Sequence, residues 1–261
     1  MLFKLGLLVN DAHEDLRFIR YTQATTKASV QLLASSNELV RSSIQVQIQQ
    51  NMGFSLESDH SRITNTTALL VETAENIVND DFQPLRRQGL VLLCSSFEHL
   101  VKCLIAEWLE YHPDKVLGLD DLLSKKENYL CKKFLQNPNP ENLYFVADKL
   151  YKDIDSYFDH KDSYLNKIKG IISKHIPHQI SLFESEVESV IPSDFNETFL
   201  VRNCLVHNGS QPNHYLSTQN SSFKKSERII LTKHMLNNYF KAVELVASGL
   251  YECSSIKAGL G

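Results

Sequence analysis

Glycine and proline are scarce in this sequence, with nine and seven in 261 residues. No window shows apolar and polar residues alternating over a length that predicts a strand. Hydrophobic residues make up 43% of the chain, which is ordinary for a protein with its own core. The sequence therefore predicts an all-α fold that can bury a core without crosslinks.

Cysteine is also sparse, because the five cysteines are odd in number, widely spaced and never arranged as C-x-x-C. This spacing predicts neither a disulfide framework nor a zinc or dithiol site, and it favours a reducing cytoplasm. No run approaches the roughly 20 apolar residues that span a bilayer, so no membrane association is expected. Acidic residues follow the opening MLFKLGLLVN at once, and we interpret it as the start of a helix, not as a signal peptide.

An excess of positive charge is absent too, since the formal net charge is -4. A general nucleic-acid coat needs dense Lys and Arg, so any contact with nucleic acid must come from a local cleft or basic patch. The candidate patches are Arg86 with Arg87, Lys125 with Lys126, Lys132 with Lys133, and Lys224 with Lys225 and Arg228. An ordinary solvated face is the simpler interpretation of each group.

The most hydrophobic segment is LRRQGLVLLCSSFEHLVKCLIAEWLEYHP, which ends at Pro113. On a helical wheel its apolar residues fall on one broad arc, with His99, Ala106 and Glu110 on the polar side, which predicts the central core helix. Glu98 lies inside the apolar arc. A carboxylate there needs a partner, an opening onto a cleft, or a snorkelling conformation at the helix rim. The predicted core positions are Leu90, Val91, Leu93, Phe97, Leu100, Val101, Leu104, Ile105, Trp108 and Leu109.

The N-terminal part of the chain predicts further helices. An apolar stripe that includes Leu69, Leu70 and Ala74 predicts a helix over residues 65 to 79. The segment NDDFQP then ends it, because Pro84 disfavours helical backbone in the residue before it. We interpret residues 1–80 as an N-terminal helical extension and residues 81–255 as the main helical domain.

A second segment, SDFNETFLVRNCLVHNG, carries signals for both ends of a helix. Ser193 is the predicted N-cap, and Asp194 and Glu197 are predicted in the first turn, where the helix dipole favours negative charge. The Asn208-Gly209 pair predicts the stop, which places His207 in the last turn. Thr232 is the predicted N-cap of the final helix, after a polar loop.

Arg202 and His207 carry chemistry suited to RNA cleavage. A ribose 2′-hydroxyl that attacks the adjacent phosphorus needs a group that moves a proton near neutral pH and a group that stabilises negative charge. Histidine suits the first task, and the planar guanidinium of arginine matches two phosphate oxygens. Neither a metal nor a cofactor is expected. The spacing of His207 and His214 fits no helical metal motif, and no acidic or cysteine partner lies near them in sequence. Cys204 lies in an apolar run, where a thiol is usually inert.

Helix geometry poses a problem for this pair. Residues five apart differ by about 140° around an ideal helix and by about 7.5 Å along it, so Arg202 and His207 do not share a face. Asn203 and His207 do share one. Either the helix loosens before His207, or the arginine reaches around, or a second subunit completes the cleft.

The segment RNCLVHNGSQPNHYL, followed by RIILTKHMLNNYFKAVELVASGL, resembles the closing part of HEPN superfamily ribonucleases of toxin–antitoxin, restriction and phage-defence loci. The resemblance covers residues 86 to 252 and is strongest in the last fifty. It implies an up-and-down helical bundle and a homodimer that brings two motifs together, with Arg202 and His207 catalytic. It also implies supporting roles for Asn203 and Asn208, and for Glu98, which would orient Arg202 or line the cleft.

The sequence thus predicts a cytoplasmic, metal-independent endoribonuclease that acts as a toxin or an antiviral defence effector. The expected partners are an RNA substrate and a second copy of the chain, and a cognate antitoxin or another defence-system protein could regulate it. The alternative is a non-catalytic helical module that binds RNA or protein. In that case His207 caps helix carbonyls, and Arg202 pairs with a carboxylate such as Glu98 or Glu197.

Overall fold

The computed structural model describes residues 5–35, 38–53, 59–111, 129, 132–134, 136, 139–157, 165–166, 168–169, 192–220 and 222–252. These residues contain long helices and no strand, which confirms the all-α class. Their helices are α1 (Leu5–Ala34), α2 (Glu38–Met52), α3 (His60–Asn79), α4 (Gln83–Tyr111), α5 (Pro140–Tyr157), α6 (Pro192–His207), α7 (His214–Gln219) and α8 (Lys233–Glu252).

The chain divides into two compact units. Within the described residues, unit 1 contains 5–18 and 90–252, and unit 2 contains 19–89. The sequence-based boundary lies after residue 80, whereas the compact units change after residue 89. The two divisions also differ in which part holds the start of α1, which belongs to unit 1.

Unit 2 contains α3, against which α2 packs. α3 begins at His60, earlier than the predicted residue 65, and it buries Ile63, Thr67, Val71 and Ala74. The predicted stripe is therefore correct at Ala74 and wrong at Leu69, which is 62% exposed. The buried residues recur at helical spacing from Ile63 onwards, and this register places Leu69 and Leu70 on the exposed side of the helix. The hydroxyl of Thr67 donates to the carbonyl of Ile63 at 2.8 Å, so its polar group is satisfied inside unit 2.

The predicted break before Pro84 is confirmed by a left-handed turn between α3 and α4. Asp81 and Phe82 have φ values of 48° and 58°, and Phe82 is buried. Nearby, the side-chain amide of Gln23 donates to the carbonyl of Leu85 at 3.0 Å. An ideal Cβ at Gly89 would lie 1.5 Å from Nε2 of Gln23, so a larger residue there would have to displace the Gln23 side chain.

The remainder of α4 forms the core of unit 1. Its predicted core positions are buried, except that Val91 is half-buried and the side chain of Trp108 lies outside the described residues. The buried surface is wider than predicted, because Ala106 and Glu107 are buried as well. The placement of Ala106 on a polar face was therefore wrong, since neighbours cover α4 on more than one side.

Among the described residues, one helical stretch, Gln83–Glu107, is long and apolar enough to cross a membrane by length and composition, although no such run was expected from the sequence. Of its most apolar window, 61% is buried within the protein. That burial accounts for the apolar composition of α4, because a core helix needs such side chains on most of its surface.

α6 lies at the centre of the site-bearing part of unit 1, with α7 and α8 packed against it. Phe97 of α4 meets Phe195 and Phe199 of α6 with ring centroids 5.4 and 5.6 Å apart, in the edge-on arrangement that aromatic rings prefer. At the far end of α8, Tyr251 stacks on His13 of α1 at 4.6 Å. Within unit 1, these ring contacts join α4 to α6 and α8 to the start of α1.

α5 begins at Pro140, inside the segment QNPNPEN, and continues through LYFVADKLYKDIDSY. The side chain of Asn139 accepts a hydrogen bond from the backbone N–H of Asn142 at 2.8 Å. This cap satisfies a free N–H group of the first turn, and it explains why the helix starts there.

Candidate functional site

α6 ends in a left-handed turn directly after His207. Gly209 and Ser210 have φ values of 59° and 67°. The N–H of Ser210 donates to the carbonyl of Cys204 at 3.1 Å, which closes the helix end. An ideal Cβ on Gly209 would meet nothing within 4 Å, so glycine is needed there for its backbone conformation. The predicted Asn208-Gly209 stop is confirmed.

The start of α6 differs from the prediction. The helix begins at Pro192, so Ser193 lies inside it and is not its N-cap. Proline suits the first position of a helix because the N–H that it lacks would have no helical partner there. Asp194 lies in the first turn as predicted, whereas Glu197 lies beyond it.

Glu197 instead anchors the middle of α6 to its neighbours. It accepts a hydrogen bond from the hydroxyl of Tyr239 at 2.5 Å and another from the side-chain amide of Asn220 at 2.7 Å. Burial and the adjacent Glu197 carboxylate raise the pKa of Tyr239, so the phenol stays protonated and donates. These contacts fix α6 against α8 and against the chain that follows α7.

Glu98 of α4 pairs with Arg202 of α6. The Nη2 group of Arg202 donates to Oε1 of Glu98, and Nη1 donates to the side-chain oxygen of Asn203 at 3.0 Å. The side chains of Arg202 and Glu98 are only 17% and 26% exposed. Of the interpretations offered for Glu98, a partner is the correct one, and a snorkelling rim residue is wrong. The alternative pairing of Arg202 with Glu197 is also wrong, since Glu197 binds Tyr239 and Asn220.

A third residue, Cys94, lies beside Arg202 one helical turn before Glu98. Its side chain is fully buried, and burial raises the pKa of its thiol to about 12 despite the nearby guanidinium. Nε of Arg202 is buried and has no hydrogen-bond partner among the described residues. The inner edge of the guanidinium therefore faces the protein. The sequence did not predict that Cys94 would lie beside Arg202. The i, i+4 spacing of Cys94 and Glu98 was the available signal.

His207 and Asn208 lie at the exposed end of α6. In the described part of the chain, no hydrogen bond joins the His207 ring to Arg202 or Glu98. The backbone N–H of Asn208 donates to the carbonyl of Cys204, and its carbonyl accepts from Gln211, both at 3.1 Å. The structure thus brings Glu98, Arg202 and Asn203 together and leaves His207 accessible one turn further on.

Asn213 and Thr232 shape the chain after the site. The side chain of Asn213 accepts from the N–H of Leu216 at 2.9 Å and caps α7, and its own N–H donates to Sγ of Cys204 at 3.4 Å. Burial raises the pKa of the Cys204 thiol, in agreement with an inert role. The hydroxyl of Thr232 accepts from the N–H of Met235 at 3.1 Å, which confirms the predicted N-cap of α8.

A separate polar cluster links α4 to α5. Nδ1 of His99 lies 2.8 Å from the hydroxyl of Tyr144, and Nε2 lies 3.6 Å from Sγ of Cys103. Part of the ring reaches solvent, yet both nitrogens face protein, and this burial, together with Lys102, lowers the pKa of His99. Asp148 bridges Lys102 at 2.6 Å and Lys152 at 2.7 Å. Burial opposes ionisation of Asp148, but these two bonds outweigh it and lower its pKa.

Among the described residues, no three His, Cys, Asp or Glu side chains cluster in a way that could hold a metal ion. No family model, curated protein or solved structure matches this chain. The chemistry of the site therefore has to be judged from its own geometry: a partly buried arginine held by a carboxylate, on a helix that ends in an exposed histidine.

Proposed function

We propose that this chain is a metal-independent endoribonuclease of the HEPN type, which cleaves RNA in the cytoplasm as a toxin or an antiviral defence effector. The observation that carries the proposal is the Glu98–Arg202 pair on α4 and α6, next to the helix end that exposes His207. This arrangement supplies a held cation and an accessible proton carrier, which are the two groups that 2′-hydroxyl attack requires.

Arg202 is the group that stabilises charge. A guanidinium has five N–H donors, of which Glu98 and Asn203 occupy one each. Nε faces the interior, so the outer Nη hydrogens remain for two phosphate oxygens. Glu98 and Asn203 fix the plane of the fork before substrate arrives, and a preorganised donor stabilises the phosphorane without a reorganisation cost during the reaction.

His207 is the proton carrier. It accepts the proton of the 2′-hydroxyl while the 2′-oxygen bonds to phosphorus, and a protonated histidine gives a proton to the departing 5′-oxygen. The bond from phosphorus to the 5′-oxygen breaks, which leaves a 2′,3′-cyclic phosphate and a 5′-hydroxyl. Asn208 extends the polar end of α6, and the need for a 2′-hydroxyl selects RNA over DNA.

A homodimer completes the site in this proposal. The separation of Arg202 and His207 by about 140° around one helix is a poor geometry for one scissile phosphate. A second copy related by a two-fold axis would bring its own His207 to the Arg202 of the first. The exposed Val206 beside His207, at 49% exposure, is an apolar residue that such an interface would cover.

A second candidate is a non-catalytic helical module that binds RNA or protein. The observation in its favour is the engagement of Arg202 by Glu98 at only 17% exposure, because a structural ion pair between α4 and α6 has the same appearance. In this case His207 is a polar helix terminus, and the protein holds a partner without breaking bonds.

Cleavage of total RNA in the presence of EDTA separates the two functions. We expect the purified protein to release fragments with 2′,3′-cyclic phosphate ends, and His207→Ala to release none. His214→Ala is the matched control, since His214 is also an exposed histidine in unit 1 and it lies on α7. Intact RNA with the wild-type protein at concentrations high enough to dimerise, or equal cleavage by His207→Ala, would refute the nuclease.

A further inference from the structure

The chain immediately after His207 carries a local excess of positive charge. Residues 208 to 243 contain five Lys or Arg residues and a single carboxylate, Glu227, in a chain whose formal net charge is -4. The same stretch is rich in Ser, Thr, Asn and Gln, which also bind phosphate and sugar oxygens. A positive segment therefore follows the candidate site directly in a protein that is acidic overall.

A backbone hydrogen bond places part of this segment against the end of α6. The N–H of Ile229 donates to the carbonyl of Ser210 at 2.8 Å. Ser210 belongs to the left-handed turn that follows His207, and Ile229 directly follows Arg228. Arg228 is therefore held close to the turn that presents His207.

The loop that carries these cations is anchored at both ends. Phe223 is buried before the cations, and Ile229 and Leu231 are buried after them. The N–H of Glu227 donates to the carbonyl of Lys224 at 3.0 Å, which closes a turn between the anchors. A cation on an anchored turn loses less conformational entropy on binding than one on a free chain.

Two of the three cations of this loop have no partner in the described part of the chain. Lys224 forms an ion pair at 3.0 Å with Glu227, which is the single carboxylate of this stretch. Lys225 and Arg228 are exposed, and no ion pair or hydrogen bond occupies their charged groups among the described residues. They are free to neutralise an external anion.

We infer that Lys225 and Arg228 bind backbone phosphates of the RNA next to the phosphate that is cleaved. The inference rests on the proposed function in taking RNA as the bound polymer. Such a pair of cations would raise the affinity of an acidic protein for RNA, because local positive charge concentrates a polyanion at the site although the net charge of the protein repels it. Neither residue touches the reacting atoms, so both determine affinity and its dependence on salt.

Binding of a fluorescein-labelled single-stranded RNA, measured by anisotropy over a salt series, tests this inference. All variants carry His207→Ala so that the RNA stays intact. Each lost phosphate contact lowers the slope of log K against log salt by about 0.7, which corresponds to about five-fold in affinity near 0.1 M salt. We expect Lys225→Gln/Arg228→Gln to lower the slope by about 1.4 and the affinity by about 25-fold.

Two control variants make the result specific. Lys133→Gln/Lys152→Gln removes two other exposed lysines of unit 1, and it should keep the parent slope and affinity. Lys225→Arg/Arg228→Lys keeps both charges and should also keep the slope. Thermal unfolding of both Lys225/Arg228 variants should match the parent, because Lys225 and Arg228 are exposed and have no partner to lose in the described part of the chain.

The outcomes separate this inference from the proposed function. If wild-type protein cleaves RNA but Lys225→Gln/Arg228→Gln binds like the lysine control, the inference is wrong and the nuclease stands. If wild-type protein does not cleave but the slope falls as expected, Lys225 and Arg228 do bind RNA phosphates and the nuclease is wrong. Failure of the His207→Ala parent to bind RNA even at low salt overturns the inference outright.

Discussion

Replacement of Glu98 by glutamine tests whether this carboxylate orients Arg202. Glu98→Gln keeps the shape of the side chain and one acceptor oxygen but removes the charge. Two unit charges about 4 Å apart attract by about 4 kcal/mol at an effective dielectric constant near 20. Desolvation cancels part of that attraction for a pair that is 17% and 26% exposed. We expect the free energy of unfolding to fall by about 1–2 kcal/mol, which lowers Tm by about 2–8 °C.

The expected effect on cleavage is much larger. A guanidinium that is displaced by about 1 Å from its productive position costs about 100-fold in rate. Loss of about 2 kcal/mol from a stability of about 5–15 kcal/mol still leaves nearly all molecules folded, so unfolding cannot produce such a loss of rate. The assay is a time course of RNA cleavage with EDTA, well below the Tm of each variant, with the folded fraction followed by circular dichroism.

Glu197→Gln is the matched control, because Glu197 is another partly buried carboxylate that accepts hydrogen bonds between helices of unit 1. We expect it to lose stability to a similar degree and to cleave RNA at close to the wild-type rate. Wild-type cleavage by Glu98→Gln would refute the orienting role, and so would an equal loss of cleavage by Glu197→Gln. In either case Glu98 only stabilises the fold.

Two further predictions concern the helix end and the α4–α5 cluster. Gly209→Ala should cost about 1 kcal/mol, because φ is 59° there, and should also slow cleavage by disturbing the turn after His207. Gly53→Ala, at φ 67° and in equally open space, should cost similar stability without slowing cleavage, and equal slowing of both would contradict the effect. The lowered pKa of His99 disfavours its charged form in the folded state, so its contribution to stability is present above about pH 6.5 and is lost as the pH falls from there through the lowered value. Thermal melts between neutral and mildly acidic pH should show this loss of Tm, and His99→Gln should reduce it; an unchanged pH dependence would contradict the assignment.

Local patterns predicted the parts of the fold that depend on local physics. The arc of α4 was predicted because helical periodicity alone determines which of its residues share a face. The C-terminal end of α6 was predicted from Gly209 and the start of α8 from Thr232, because backbone conformation and capping act within a few residues. Ser193 was misplaced because a serine next to a proline offers two starts for a helix, and Pro192 fills the first position.

Tertiary contacts were harder to predict. Glu98 stood out in sequence because a charge interrupted an apolar arc, and that anomaly pointed correctly to a partner. Several charged residues were possible partners from sequence, and in the structure the partner is Arg202. The predicted role of Glu197 was wrong because its partner, Tyr239, lies 42 residues away and no local sequence pattern indicates such a contact. Cys94 was missed because a buried cysteine resembles any other apolar core residue.

The Glu98–Arg202 pair also has a consequence for when the site comes into existence. The two residues are 104 positions apart in the chain. At about 5–20 residues per second, a ribosome needs about 5–20 s to extend the chain from Glu98 to Arg202. Tyr239, which fixes α6 through Glu197, is synthesised later still. A growing chain therefore carries α4 without its guanidinium, and the paired site cannot form on the translating ribosome until most of the protein has been made.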